Sequence, residues 1–295
     1  MDAWPAVPPA KGLVWSPARS YRGAKAFSVP CGQCMSCRLS KSQDWATRIH
    51  HEATQHEFNC FVTLTFADEH LPTDMSVDIR DVQLFMKRLR KRLGHDRVRY
   101  FACGEYGDRF QRPHYHVILF GYSPADLVPW RKTGSGFVVS RSAELERVWP
   151  FGHVEVGTVT HQSAGYVARY VIKKATGEAV ADSLTRIHPT TLFPWQVRPE
   201  FIVMSRRPGI GDSWFAQFSG DAFPSDFVIV DGRKKPIPRY YDKKLSDREA
   251  LSIKSTRKEN AAKHADEQTT RRLLTKTESA TLRAERLPRT MDTES

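Results

Sequence analysis

The sequence predicts an α+β domain, a central antiparallel sheet of about five strands with flanking helices against one face. Three observations predict it. Residues 61–66 alternate apolar side chains with Thr63 and Thr65, as a half-buried central strand does. Residues 113–120 alternate around His114 and His116 and close on Val117, Ile118, Leu119 and Phe120. Between such strands, apolar residues recur at helical spacing, as in Val82, Phe85, Leu89 and Leu93.

The elements follow in order. Residues 1–28 are rich in proline, alanine and basic residues without periodicity, and predict an extended arm. Cys31, Cys34 and Cys37 then precede a helix over 38–57 that contains Trp45, Arg48 and Ile49. After the 61–66 strand, 68–76 reads as a loop and Asp78 as the cap of the helix with the Val82 stripe. The basic run Lys87, Arg88, Arg90, Lys91 and Arg92 on that helix suits a solvated face or DNA contact. Residues 99–107 read as a strand ending at a glycine turn, and the polar segment 108–112 returns the chain as a hairpin. Residues 137–140 form a strand, 143–149 a short helix and 153–159 an alternating strand. A helix over 163–174 follows directly. Residues 181–241 interleave Trp195, Arg206, Arg207 and Trp214, a mixture that suits single-stranded DNA, with 201–204 as a core strand. Beyond Tyr241 there is no aromatic residue, and mixed charge predicts a solvated helix or disorder.

The chemistry concentrates in the hairpin. Side chains at i and i+2 of a strand share a face, so His114 and His116 stand side by side. The hairpin returns Glu105 toward them. Two imidazoles and one carboxylate leave open positions on Mg²⁺ or Mn²⁺ where a phosphate oxygen binds, and zinc fits that hard ligand less well. Tyr166 and Tyr170 are i and i+4 on the 163–174 helix and share one face. Aromatics at that spacing are ordinarily core, yet Arg169, Lys173 and Lys174 crowd these two, as a phosphate would require. Arg112, at the foot of the histidine strand, is a further phosphate-binding candidate.

Composition agrees with a nucleic-acid protein. Forty-five Lys and Arg against 33 Asp and Glu give a net charge of +12 and a pI near 9.6, which favours phosphate backbones. No apolar run approaches the ~20 residues needed to span a bilayer, and no signal-peptide core opens the chain, so a cytosolic protein is expected. No phosphate-binding glycine loop appears, so no fused helicase is expected. Cys31, Cys34 and Cys37 form a Cys-x2-Cys-x2-Cys cluster. It holds a structural Zn²⁺ if a fourth ligand comes from Cys60, Cys103 or a histidine. Otherwise it is a tight loop opening the first long helix.

Taken in order, residues 61–66, then Gly104-Glu105 with Pro113 to His116, then Tyr166 to Lys173 resemble the three motifs of HUH-superfamily replication initiators. The paired tyrosines, with Cys31, Cys34, Cys37 and Arg38, and with Pro238 to Tyr241 near the far end, resemble the gokushovirus-like branch of the microviruses, single-stranded DNA bacteriophages. The resemblance covers roughly residues 28–241. It implies an RNA-recognition-like sheet and an endonuclease that nicks one strand at the viral origin, joining a tyrosine to the 5′ phosphate. His114 and His116 match its metal-binding histidines, Tyr166 and Tyr170 its nucleophiles, and Lys173 the lysine beyond them. Arg169 stands where many relatives carry lysine, and Glu105 matches a third ligand that varies. The implied partners are the single-stranded origin, a host DNA polymerase and a host helicase, and the implied setting is the host bacterial cytoplasm. The expected organisation is an arm over 1–28, an endonuclease domain over 29–180, an accessory segment over 181–241 and a charged tail over 242–295. Two alternatives remain: a plasmid or transposon HUH nuclease or relaxase, and a non-catalytic nucleic-acid-binding protein.

Overall fold

The structure, a computed structural model, describes residues 2–5, 13–20, 27–32, 34–95, 97–107, 110–134, 136–173, 184–187, 192–264 and 269–286. At the N-terminus, β1 (Asp2–Pro5) pairs with β2 (Leu13–Val14) and β3 (Phe27–Ser28). The helix α1 (Met35–Ala53) and the strand β4 (Asn59–Phe66) follow, then α2 (Ile79–Leu93), β5 (Arg99–Tyr106) and β6 (Pro113–Phe120). The next elements are β7 (Val128–Lys132), β8 (Val138–Arg141), α3 (Ala143–Val148), β9 (Gly152–Gly157) and α4 (His161–Lys173). Residues Thr185–Ile187 and Pro194–Gln196 form the β10–β11 ribbon, and β12 (Phe201–Met204) follows it.

The main sheet is wholly antiparallel and has seven strands in the order β12-β5-β6-β4-β9-β8-β7. It exceeds the five expected because β12, read as a core strand of the later segment, joins one edge and β7, not expected as a strand, pairs with β8 at the other. β7 carries Pro129 and a register shift, so its sequence lacks the alternation that marks the other strands.

Helices cover both faces, not the one that was expected. Every position of β6 is buried, which requires an apolar layer above and below. On one face Val62, Leu64, Val117 and Leu119 meet Val82, Phe85, Met86 and Leu89 of α2, with Leu145 and Val148 of α3 beside them. On the other, Phe61, Phe101, Cys103, Ile118 and Phe120 meet Ile49 of α1 and Ala164, Tyr166 and Val167 of α4. Asp78 caps α2 as expected, its carboxylate accepting from Arg80 N at 2.8 Å, and Gly94 ends the helix at φ 73°.

The segment after β12 builds a third apolar cluster from α5 (Asp212–Ala222), the hairpin β13 (Phe227–Val230) and β14 (Arg233–Pro236), and α6 (Arg239–Asp242). Its attachment to α1 is specific. His51 stacks on Trp214 at 3.6 Å and bonds Tyr241 Oη at 2.8 Å, while Arg48 lies between the rings of Trp45 and Tyr240. Glu52 accepts from Arg99 Nε at 2.5 Å and from Gly211 N at 2.7 Å. The charged tail is helical in α7 (Asp247–Lys263), which a Ser246–Glu249 capping box opens, and α8 (Thr270–Arg286). Among the described residues, no helix is long and apolar enough to cross a membrane.

Candidate metal centre

Register assembles the centre. The β5–β6 pairing sets Glu105 directly opposite His114 and Cys103 opposite His116, while β4–β6 sets Thr63 opposite His116 and Thr65 opposite His114. Residues directly opposite share a face. Pro113 begins β6, where a missing N–H is tolerated. Glu105, His114 and His116 are 1%, 8% and 0% exposed.

Their donor atoms converge within 4.8 Å of one another. Glu105 Oε1 lies 2.8 Å from Nε2 of His114 and 2.8 Å from Nε2 of His116. The second ring nitrogens are anchored behind them. His114 Nδ1 donates to the Arg112 carbonyl at 3.2 Å, and His116 Nδ1 lies 3.0 Å from Thr63 Oγ1. Burial alone would raise the Glu105 carboxyl, but the close approach of the His114 and His116 rings outweighs it and holds the group below the usual carboxylate range.

This geometry fits a cation. A carbonyl only accepts, so His114 Nδ1 must carry a proton, and a neutral His114 then presents a lone pair at Nε2. That lone pair sits 2.8 Å from a carboxylate oxygen, and two acceptors at this distance repel unless a proton or a metal ion stands between them. Backing of the far ring nitrogen is what metal-bound histidines ordinarily have.

Tyr166 lies beside the centre. Its ring packs edge-on against His116 at 5.2 Å and against Phe61 at 6.3 Å, and the residue is 3% exposed. Ser163 and Thr160 exchange hydrogen bonds of 2.7 and 3.0 Å at the start of α4, which fixes the helix one turn before that tyrosine. The backbone of α4 carries Arg169, Tyr170 and Lys173 onward. Their side chains, and the whole of Lys174, lie outside the described residues. Arg112 bonds Asp68 at 2.6 Å and the Phe66 carbonyl at 3.0 Å.

Three residues escaped the sequence reading. Thr63 had been read only as part of a neighbouring strand, and His153 and Glu155 only as part of another. The β4–β9 register sets Glu155 opposite Thr63 and His153 opposite Thr65, so both lie on the face of the triad. Arg131 clamps Glu155 with bonds of 2.8 and 2.7 Å. Strand alternation put His153 and Glu155 on one face, but only the register says which. The second cluster foreseen, Cys31, Cys34 and Cys37, also converges, with its sulfurs within 4.8 Å of one another. Neither Cys60 nor Cys103 joins it, since both lie in strands of the core.

Comparison with known proteins finds relatives along most of the chain. The family model for replication-associated proteins of the ORF2 type matches residues 59–175, the stretch from β4 past α4. The chain is 34% identical over 238 residues to the replication-associated protein VP4 of Bdellovibrio phage phiMH2K, covering 78% of this chain and 71% of that one. It is 33% identical over 230 residues to the replication-associated protein ORF2 of Spiroplasma virus 4, covering 74% and 68%. With the replication-associated protein ORF4 of Chlamydia phage 1 the identity is 36% over 232 residues, 75% of this chain and 55% of the relative. No solved structure matches.

Proposed function

Because the chain belongs to the replication-associated proteins of microvirus-type phages, we propose that it initiates phage DNA replication as a metal-dependent endonuclease and strand transferase acting on a single-stranded origin. Glu105, His114 and His116 hold a divalent ion, Mg²⁺ or Mn²⁺. When bound, that ion supplies a Lewis acid for a non-bridging oxygen of the scissile phosphate.

The chain's own residues do the rest. A phenol oxygen of Tyr166 or Tyr170 attacks phosphorus in line, the bond from phosphorus to the 3′ oxygen breaks, and the phenolic proton ends on that oxygen. The products are a tyrosine ester of the 5′ phosphate and a free 3′ hydroxyl for a host polymerase. The ester conserves the energy of the broken bond, so rejoining needs no ATP. Lys173, Arg169, Lys174 and Arg112 hold and neutralise phosphates along the strand. Residues 29–180 carry the chemistry, 181–241 add DNA contacts, and a host helicase opens the duplex in the bacterial cytoplasm.

The observation that carries this reading is the pair of Nε2 atoms aimed at one buried carboxylate oxygen, with the His114 tautomer set by a carbonyl behind it. The test is a labelled single-stranded origin oligonucleotide incubated with Mn²⁺. A covalent adduct that survives denaturing electrophoresis is expected, and His114→Ala abolishes it. Retardation without an adduct would mean a binding protein. Tyr166→Phe and Tyr170→Phe should each keep part of the first cleavage and lose rejoining, and full activity in both would refute the paired mechanism. The near-complete burial of Tyr166 favours a second reading in which its phenol is core and Tyr170 acts alone. Rejoining that persists in Tyr166→Phe alone would establish that reading.

A further inference from the structure

We infer that Cys31, Cys34 and Cys37 hold a second metal ion, a single zinc bound through thiolates at the start of α1. The three sulfurs lie within 4.8 Å of one another and none is in a disulfide. For Zn–S bonds of about 2.3 Å, a tetrahedral edge is about 3.8 Å, so small side-chain rotations complete three corners. A four-iron cluster places each sulfur on a different iron and spreads them farther apart, so one ion fits better.

The turn brings the sulfurs together. Gly32 takes φ 75°, a left-handed conformation open to glycine, and this folds Cys34 back so that its N–H donates to Cys31 Sγ at 3.2 Å. Cys34 is the N-cap of the 19-residue α1 and Cys37 lies in its first turn, so the start of one helix fixes two of the three sulfurs. Among the described residues no fourth histidine, cysteine or carboxylate joins the cluster, so water or a donor outside them takes the fourth corner. The site is distinct from the triad, which lies on β5 and β6.

The ion has a mechanical consequence. It ties down the end of α1, whose other residues pack on α4 through Ile49 and grip the third cluster through Arg48, over the Tyr240 ring, and His51. Ser36, inside the cysteine turn, also bonds Thr277 of α8 at 3.2 Å.

The test uses the full chain loaded with Co²⁺ in place of zinc. We expect a thiolate-to-cobalt charge-transfer band that saturates at one equivalent, with visible bands of tetrahedral coordination. X-ray absorption of the zinc form should show about three sulfurs at about 2.3 Å. Cys34→Ser and Cys37→Ser should abolish the charge-transfer band, whereas the double variant Glu105→Gln with His114→Ala should keep it. That second comparison is independent of DNA cleavage. Absence of the band in the unmodified protein, its survival in the cysteine variants, or iron with acid-labile sulfide would each overturn the inference.

Discussion

Tyr115 sits between the two histidines and faces the other way, and this explains the spacing of the motif. Its hydroxyl donates to Asp81 at 2.5 Å and accepts from Asp78 N at 3.0 Å, and burial pushes its ionisation above the usual range. It fastens β6 to α2 and is excluded as a nucleophile. Thr63 has the opposite role, since its hydroxyl is the partner of His116 Nδ1. Thr63→Val keeps the shape of the side chain and removes that partner. It should weaken Mn²⁺ binding about 10- to 100-fold by calorimetry with little change in stability, and an unchanged affinity would deny the hydroxyl any orienting role. His51 predicts a pH effect. Burial, with a smaller contribution from His50, lowers its pKa from 6.5 to about 3, so between those values the unfolded chain takes up a proton that the folded chain refuses. Stability therefore rises with pH across that window and falls as pH drops from 6.5 toward 3, by at most about 1.4 kcal/mol per unit from this one group. The Trp214 ring and the Tyr241 hydroxyl that contact His51 are themselves uncharged. Urea denaturation at pH 7 and pH 5 should show a smaller loss for His51→Phe than for the unmodified chain, and equal losses would contradict the assignment.

At the scale of elements, the position that holds β9 to β4 is Gly152. A Cβ there would lie 2.2 Å from the Thr65 carbonyl oxygen and 2.4 Å from Ala67 N, backbone atoms that cannot give way. Gly152→Ala should therefore cost about 3 kcal/mol or more in a denaturant midpoint series, at the upper end of overpacking effects. It should also disturb His153 and Thr65 on the triad face, and a variant of normal stability would mean that the β9 pairing is softer than its register implies. What was legible in the chain follows the same logic of distance. The triad was readable because i and i+2 periodicity and a short hairpin are local, and α2 was readable because Asp78 and its stripe are local. Helices on the second face were not, because β4 reads as half-buried until α4 covers Phe61. The third cluster was opaque for a stronger reason. It attaches through Glu52 to Gly211 and His51 to Tyr241, contacts between residues 159 and 190 positions apart, which no window of sequence contains.

For the whole molecule, the question is where a net charge of +12 acts. The densest basic run, on α2, is largely engaged within the protein. Arg88 Nε donates to the Val148 carbonyl at 2.8 Å, Arg90 to the Val98 carbonyl at 2.8 Å, and Arg92 lies 3.4 Å from Glu144. Moreover, α2 covers the face of the sheet opposite the triad. A strand of DNA whose phosphate reaches Glu105, His114 and His116 runs on the α4 side, so Lys87 and Lys91, though exposed, are remote from it. Neutralised phosphates release counterions, and for single strands the logarithm of affinity falls with the logarithm of salt at about 0.7 per contact. Lys87→Gln with Lys91→Gln should therefore leave both the affinity for an origin oligonucleotide and its salt slope almost unchanged. Lys173→Gln with Lys174→Gln, close in sequence to the proposed nucleophiles, should flatten the slope by about 1.4. Fluorescence anisotropy across a salt series measures both. The reverse pattern, a flattened slope only in the α2 variant, would put the DNA on the wrong side of the sheet and detach binding from the metal centre.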